Sequence, residues 1–562
     1  MVITFDEDKQ KKRVEELYNE EAEELAQVLS HKYGLPYIDL SRFSINTDAL
    51  KLVPEETARA VGIACFEVKG RKVEAAVIAP ESGKLKELLA ELEQNGHIVT
   101  LYLGSKHSLE RAWERYKEVT DSAKAEAGLI DVSEEQLTFF LEKVKGIADV
   151  RESVNETVSS GKAHGASKIL EIVLAGAIAV DSSDIHFEPE EETVRLRFRL
   201  DGVLQDITAF TGAAYHLILS RVKLISGLKL NMKAGAQDGR FTIKIGGQEI
   251  EIRTSVIPGA YGESIVLRVL NPKAIAVPLE DMGIEPHLLS IFTHAIEKPN
   301  GLILVTGPTG SGKTTTLYAF MRKVNGPGLK IITIEDPIEY HLKGVSQTQT
   351  NEKSGYTFLE GLRSALRQDP DIIMVGEVRD TDTAKIAINS ALTGHLVFST
   401  LHTNNAAGAI PRLIDLGVDG KIIPSALTLT IAQRLMRKLC EKCRKELPPT
   451  AEEKQLIEKV LSTISPAVKL PPPTLGSLWH PTGCEACNNT GYKGRIGIFE
   501  AIMMDQNIEK AIEESPNERA IKKAAEPQGI LTLEQDGVIK VVEGVTDLPE
   551  LLRVVEIEGS NL

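Results

Sequence analysis

Long apolar runs are missing from this chain of 562 residues. No stretch approaches the roughly 18 uncharged apolar residues that a membrane-crossing helix needs, so no transmembrane span is expected. The first residues, Met1-Val-Ile-Thr-Phe-Asp-Glu-Asp8, are acidic and carry no signal-peptide apolar core. That predicts a cytoplasmic protein, peripheral to the membrane, whose contact with it runs through partners. Positive charge is in deficit, with 65 Lys and Arg against 80 Asp and Glu, a net charge of −15. General nucleic-acid binding relies on a basic footprint, so no nucleic-acid partner is expected. Internal repeats and coiled-coil heptads are also absent.

Cysteine is scarce, and its placement is uneven. Cys65 stands alone and reads as a buried small hydrophobe. The other four form two pairs, Cys440-Glu-Lys-Cys443 and Cys484-Glu-Ala-Cys487. A two-residue spacer lets both thiolates of a pair face one ion, so two such pairs in a cytoplasmic chain predict a tetrahedral Zn²⁺ site. The segment between the pairs is longer than in a compact zinc ribbon and carries Pro471-Pro-Pro473, which predicts a loop whose ends the metal ties together. Disulfides are not expected in this compartment, and a redox centre needs only one pair.

What the chain does contain is Gly307-Pro308-Thr309-Gly310-Ser311-Gly312-Lys313-Thr314-Thr315, the pattern Gly-x-x-x-x-Gly-Lys-Thr. It follows the apolar run 301–305 and precedes the helix-like segment 316–322, the strand–loop–helix order of a phosphate-binding loop. The glycines let backbone N–H groups curl round an anion, and the helix N-terminus adds positive potential. Lys313 can reach the β- and γ-phosphates, and the Thr314 hydroxyl can hold Mg²⁺. A Gly-rich turn alone leaves a lysine at a helix start unexplained, where the macrodipole disfavours it. Nucleotide binding is the expectation.

At this length three or four domains are expected. Residues 1–120 are mixed α/β, with helical spacing over 21–30 and a strand-like 72–78. Residues 121–150 are charged and Ala-rich and read as a helical linker. Residues 151–285 show strand alternation, as in Val194-Arg-Leu-Arg-Phe-Arg-Leu200 followed by the hairpin turn Asp201-Gly202. Residues 286–435 hold the nucleotide core, 436–500 the cysteine element and 501–562 a helical tail.

The core carries further chemistry at strand ends. Lys330-Ile-Ile-Thr-Ile334 is a buried-type strand leading into Glu335-Asp336-Pro337-Ile338-Glu339-Tyr340, and Asp371-Ile-Ile-Met-Val-Gly376 leads into Glu377. In open α/β sheets ligands sit outside the carboxyl ends of the strands. A carboxylate there can orient or deprotonate a water, or hold Mg²⁺ through water. A third strand, His395-Leu-Val-Phe-Ser-Thr-Leu-His402, ends in a histidine. Glu339, Glu377 and His402 on three strand ends make a constellation rather than isolated residues.

The ordered blocks GPTGSGKTTT, TIEDPIEY, LRQDPDIIMVGEVRD, LTGHLVFSTLHTNNA and AQRLMRKLCEKC resemble the type II secretion and type IV pilus assembly ATPases, the GspE/PilB-like family. The resemblance runs from about residue 150 to the end and includes SSDIHFEP, RLRFRLDGVL, QDGRF, YGESIVLRVL, GYKGRIGIFE and LTLEQDGVIKVVEG. It implies an α/β architecture: a RecA-like ATPase core, a preceding PAS-like domain, an N-terminal α/β domain and a tetracysteine zinc element. It implies ATP, Mg²⁺ and Zn²⁺ as ligands. Lys313 and Thr314 would bind phosphates and Mg²⁺, Glu339 would be the catalytic carboxylate, Glu377 would assist Mg²⁺, and His395 and His402 would form the His-box pair. Arginines of the second domain would complete the site across the cleft or from a neighbouring subunit, at Arg240, Arg253 and Arg268. Each of these can instead be a strand-surface residue paired with Glu249, Glu251 or Glu263.

Two loops depart from the family pattern. Asn231-Met-Lys-Ala-Gly-Ala236 replaces an acidic–basic pair and a proline, and Ile257-Pro258-Gly259 replaces a Leu-Pro-Thr turn. The segments Tyr33–Leu40 and Leu52–Ala58 resemble the family's N-terminal domain, which in some members binds cyclic di-GMP through Arg-Leu-Gly-type motifs. No such start is present here, so docking to partners is the expected role. The resemblance thus implies a homohexamer that extends a pilus or secretion pseudopilus with an inner-membrane platform protein and a cytoplasmic docking protein. The alternatives are a pilus retraction ATPase or a non-motor nucleotide-binding regulator.

Overall fold

The computed structural model describes residues 22–40, 43, 45–94, 96–116, 139–141, 143–144, 146–159, 165–232, 234–245, 248–271, 277–468 and 475–557. Most of the sequence-predicted linker, the acidic N-terminus and the triple proline lie outside these residues. The chain divides into two compact units, residues 1–131 with 219–243, and residues 132–218 with 244–562. The helix Gly212–Ile225 and the strand Gln237–Ile245 therefore pass from one unit to the other. In this division the segment 219–243 groups with the N-terminal residues.

In the first unit, strands β1 (Ile63–Lys69), β2 (Lys72–Val77) and β3 (Ile98–Leu103) form one sheet. β1 and β2 run antiparallel, and β2 and β3 run parallel across the helix Gly83–Gln94. Cys65 is buried in the core of this sheet, where burial pushes its thiol up to about 12, so it behaves as an apolar filler.

The second unit holds strands β4 (Asp184–Pro189), β5 (Thr193–Leu200), β6 (Val203–Thr211), β8 (Gln248–Gly259) and β9 (Gly262–Leu270), neighbours in the order β6-β5-β4-β9-β8. Gln237–Ile245 forms strand β7. Alternation decides the two faces. Ile185, Phe187, Leu196 and Phe198 are buried, whereas Arg195, Arg197 and Arg199 stand on the other face beside Asp184 and Glu188. Asp201 and Gly202 both adopt positive φ, 47° and 87°, which closes the β5–β6 hairpin with the twist that antiparallel strands favour.

The core sheet has seven strands: β10 (Gly301–Thr306), β11 (Ile331–Glu335), β12 (Val345–Gln349), β13 (Ile372–Val375), β14 (Leu396–Leu401), β15 (Leu427–Leu439) and β18 (Tyr492–Met503). Their order is β12-β11-β13-β14-β10-β15-β18, parallel as far as β15 and closed by antiparallel β18. The central parallel strands β10, β11, β13 and β14 are buried along their whole length and mostly apolar because both faces are covered, whereas edge strand β12 is polar and partly exposed. Leu302 and Leu304 pack toward the helices Phe358–Leu366 and Thr381–Leu392, and Ile303 and Val305 toward Pro286–Ile296 and Lys313–Val324. β18 crosses the sequence-based boundary at residue 500, so the segment beyond the cysteines completes the nucleotide-core sheet. Short strands β16 (Lys445–Leu447) and β17 (Leu478–His480) pair within the cysteine element. Among the described residues no helix is long and apolar enough to cross a membrane.

Candidate active site

The phosphate loop leaves the end of buried β10 and enters the helix Lys313–Val324. Gly307, Gly310 and Gly312 take φ values of 146°, 80° and 89°. Side chains are excluded at the first and last of these on spatial grounds as well. A Cβ on Gly307 would stand 2.6 Å from Gln433 O, and one on Gly312 would stand 2.8 Å from Gln433 Nε2. Helices Phe358–Leu366 and Thr381–Leu392 are capped by the Thr357 and Asp380 side chains, but Gly312 offers the phosphate-loop helix no cap. Its first N–H groups thus point at the loop with no side-chain acceptor. Ser311 Oγ is buried there without a hydrogen-bond partner among the described residues. Lys313 Nζ donates to Gly307 O at 2.8 Å and Pro308 O at 3.1 Å, folded over the space the loop encloses. Burial, and then Arg434, bring its ammonium down to about 8. Unsatisfied donors and a crowded cation are what an anion would settle, so these residues fit a nucleotide phosphate.

Residues 308–315 line a cavity of about 1000 Å³ that Glu339, Glu377, His402 and Arg268 also reach. Glu335 sits at its floor, fully engaged: it accepts from Tyr318 Oη, from Thr333 Oγ1 at 2.5 Å and from Gln347 Nε2 at 3.1 Å. It is a buried anchor of β11. The turn after it holds a cis Asp336–Pro337 bond and presents Glu339, whose Oε2 accepts from Arg253 Nη1 at 3.0 Å. Arg253 also donates to Ile338 O and, at 3.2 Å, to Glu251. Glu377, just past β13, pairs with Arg379, and its Oε2 lies 3.2 Å from His402 Nε2. Burial, Lys313 and Arg379 hold the His402 imidazole below the usual histidine range, so it is neutral near pH 7. Thr314 also lines the cavity, so Thr314 and Glu377 are the residues present that fit Mg²⁺.

The histidine pair is not brought together. His395 stands at the start of β14, its Nδ1 3.0 Å from Ser390 O and its carbonyl accepting from Gly301 N at 3.1 Å. Six residues lie between it and His402, seven steps of extended chain or roughly 23 Å, and His395 does not line the cavity. Among the arginines, Arg268 Nε bonds buried Asp184 at 3.0 Å, and Arg199 bonds the same carboxylate at 3.3 Å. Arg240 is an exposed residue of the first unit, whereas every residue lining the cavity belongs to the second. Sequence reasoning passed over Asp184 and Arg434, both in the cavity wall. Their motifs, SSDIHFEP and AQRLMRKLCEKC, were visible, but nothing local shows which way a strand residue faces a distant loop.

The four cysteines converge. All four Sγ atoms lie within 4.8 Å of one another, with Cys440–Cys484 at 3.9 Å and Cys443–Cys487 and Cys484–Cys487 at 3.8 Å. Tetrahedral Zn–S bonds of about 2.3 Å put sulfurs about 3.8 Å apart, so the set fits Zn²⁺. Cys487 Sγ accepts backbone N–H bonds from Cys484 at 3.2 Å and Gly491 at 3.3 Å, which favour a thiolate. The knuckle also holds its surroundings. Asn488 Oδ1 accepts from Ile147 N at 2.9 Å, and Gly494 N donates to Asp201 at the β5–β6 turn at 2.9 Å.

The chain is similar to several known proteins. The model of the family described as "Type II/IV secretion system protein" matches residues 161–553, and the MshEN domain model matches residues 33–123. The type II secretion system protein E of Aeromonas hydrophila is 43% identical over 387 residues, covering 69% of this chain and 75% of the relative. The type IV pilus assembly ATPase PilB of Myxococcus xanthus is 35% identical over 536 residues, covering 95% of this chain and 91% of the relative. The Legionella pneumophila ATPase DotB is similar at 22% identity with a TM-score of 0.48, covering 68% of this chain and 94% of that one. With a phosphate loop on a RecA-like sheet, an MshEN domain before it and a family match over most of its length, this chain belongs to the type II/IV secretion system protein family.

Proposed function

We propose that this chain is a Mg²⁺-dependent ATP hydrolase that works as a cytoplasmic homohexamer and drives assembly of a type IV pilus or extension of a type II secretion pseudopilus. The observation that carries the reading is one cavity onto which Lys313, Thr314, Glu339, Glu377 and His402 all open. The names of the relatives, a secretion protein E and a pilus assembly ATPase, support the same reading.

The roles follow from position. Backbone N–H groups of residues 308–315 and Lys313 hold the phosphates. Thr314 and Glu377 would hold Mg²⁺, which when bound offsets charge on the transferring phosphoryl group. Glu339 orients and deprotonates the attacking water. Arg253 positions Glu339 through their ion pair, and Arg268 adds positive charge at the cavity edge. Neutral His402 accepts or donates a hydrogen bond beside Glu377 and reads the terminal phosphate. His395 helps fix the start of β14 instead. The cysteine set holds Zn²⁺ as a structural ion. The N-terminal domain docks to a cytoplasmic partner, and ring motion acts on a platform protein in the inner membrane.

The test is ATP turnover by wild type and Glu339→Gln at matched oligomeric state, judged by light scattering coupled to size exclusion. A hexamer whose Mg²⁺-dependent turnover collapses in the variant, with nucleotide still bound, supports the motor reading. Equal turnover in both removes Glu339 from the chemistry and makes Glu377 the next suspect. Tight ATP binding without turnover in either protein favours a non-motor regulator.

A further inference from the structure

β15 runs beside the phosphate loop, and two of its residues crowd the first glycine. A Cβ on Gly307 would meet Gln433 O at 2.6 Å and Arg434 Nη1 at 3.1 Å. Gln433 is committed to the fold, since its Oε1 accepts the Thr316 hydroxyl at 2.7 Å. Arg434 is not. Its guanidinium is half-buried in the cavity wall and bonds main-chain carbonyls, Gln433 O at 3.0 Å and Asn404 O at 2.6 Å. Among the described residues no carboxylate forms an ion pair with it, and Glu500 and Glu534 attract it only from a distance.

Lys313 shares the same glycine, with Nζ on Gly307 O at 2.8 Å. Two cations therefore flank Gly307, and among the described residues no carboxylate forms an ion pair with either. Like charges held together in a partly buried place cost free energy, and a polyanion between them reverses the sign. N–H groups at the helix start cradle the inner phosphates of a nucleotide while the lysine reaches outward to the last ones. Arg434 and that lysine meet the loop at the same residue, Gly307.

We propose that Arg434 contacts the terminal phosphoryl of a bound nucleoside triphosphate, as a second cation of the same chain beside Lys313. The proposal rests on the nucleotide reading above. In making this contact the guanidinium exchanges a carbonyl oxygen for a phosphate oxygen, so it reports the third phosphate and is indifferent to a diphosphate.

The experiment is isothermal titration of the full chain with MgATPγS and with MgADP, for wild type, Arg434→Gln, Arg434→Lys and Lys313→Ala. Arg434→Gln is expected to weaken MgATPγS about 10- to 100-fold, the size of one charge-assisted hydrogen bond, and to leave MgADP within about twofold. Arg434→Lys keeps the charge and recovers part of the loss. Equal weakening of both nucleotides, or of neither, overturns the proposal. Equal weakening with a lower melting temperature marks Arg434 as a structural tie to Asn404. If Arg434→Gln fails to fold, the ratio of the two affinities in Arg434→Lys decides in the same way. A wild type that binds neither nucleotide defeats the nucleotide reading itself. A wild type that binds both, with Lys313→Ala impaired and Arg434→Gln unaffected, defeats only the role of Arg434.

Discussion

Arg253 Nη1 donates to Glu339 Oε2 across 3.0 Å, and the same guanidinium grips the Ile338 carbonyl. Arg253 belongs to β8 and Glu339 to the turn after β11, so one ion pair joins the second-domain sheet to the nucleotide core. The two side chains are 21% and 30% exposed, enough cover to hold a defined geometry against solvent screening. The family resemblance implies an arginine for phosphate at this position; in this structure its guanidinium bonds the Glu339 carboxylate.

Arg253→Ala is therefore expected to lower kcat about 100-fold, the usual penalty for displacing a reacting group by about an ångström. Affinity for MgADP should stay within about threefold, because Arg253 does not touch the phosphate loop. Steady-state turnover beside nucleotide titration checks it. An unchanged kcat would show that the turn after β11 holds Glu339 without help.

Lys313 gives a prediction with a definite sign. Its ammonium lies near 8 in the folded chain against an ordinary 10.5. Below pH 8 the proton is bound in both folded and unfolded chains, and the folded state carries the full cost of the crowded charge. Between about 8 and 10.5 the folded chain gives the proton up and the cost fades, so this group makes the ligand-free protein more stable as pH rises through that window. Lys313→Met should then melt higher than wild type at pH 7 without nucleotide, and the gap should narrow toward pH 10. MgATP should raise the wild-type midpoint and leave the variant unmoved. A variant that melts lower at pH 7 contradicts this account.

The cysteine set predicts about one Zn per chain after mild purification. Cys487→Ser should lose the metal and expose the amides of Cys484 and Gly491, which donate to that sulfur, to faster hydrogen exchange. Exchange should also quicken at Ile147 and Gly494, bonded to Asn488 and to Asp201 across the knuckle. Metal analysis finding well under one Zn in the wild type would remove the site.

Much of the core is legible in the sequence. The phosphate loop declares itself because glycine spacing, a preceding apolar strand and a following helix are all local. The alternation of Val194–Leu200 and the turn at Asp201-Gly202 likewise return as β5 and its hairpin. The His-box pair shows the opposite limit. A family motif assigns His395 and His402 together, yet strand geometry puts them at opposite ends of β14, and only His402 reaches the cavity. The cysteine element shows another. Its pairs were visible at two-residue spacing, but not that the strand after them, β18, closes the core sheet beside β15.

Features set over a few residues were decided by the sequence: backbone freedom at glycine, side-chain period along a strand, chelation by a Cys-x-x-Cys turn. These depend on neighbours in the chain and need no knowledge of the fold. Contacts across long separations were decided by tertiary structure. Arg253 meets Glu339 86 residues on, Cys440 meets Cys484 44 residues on, and Arg434 reaches back 30 residues to Asn404. Sheet order and strand register bring those side chains together, and both are set by how buried faces of distant segments pack, which no local pattern records.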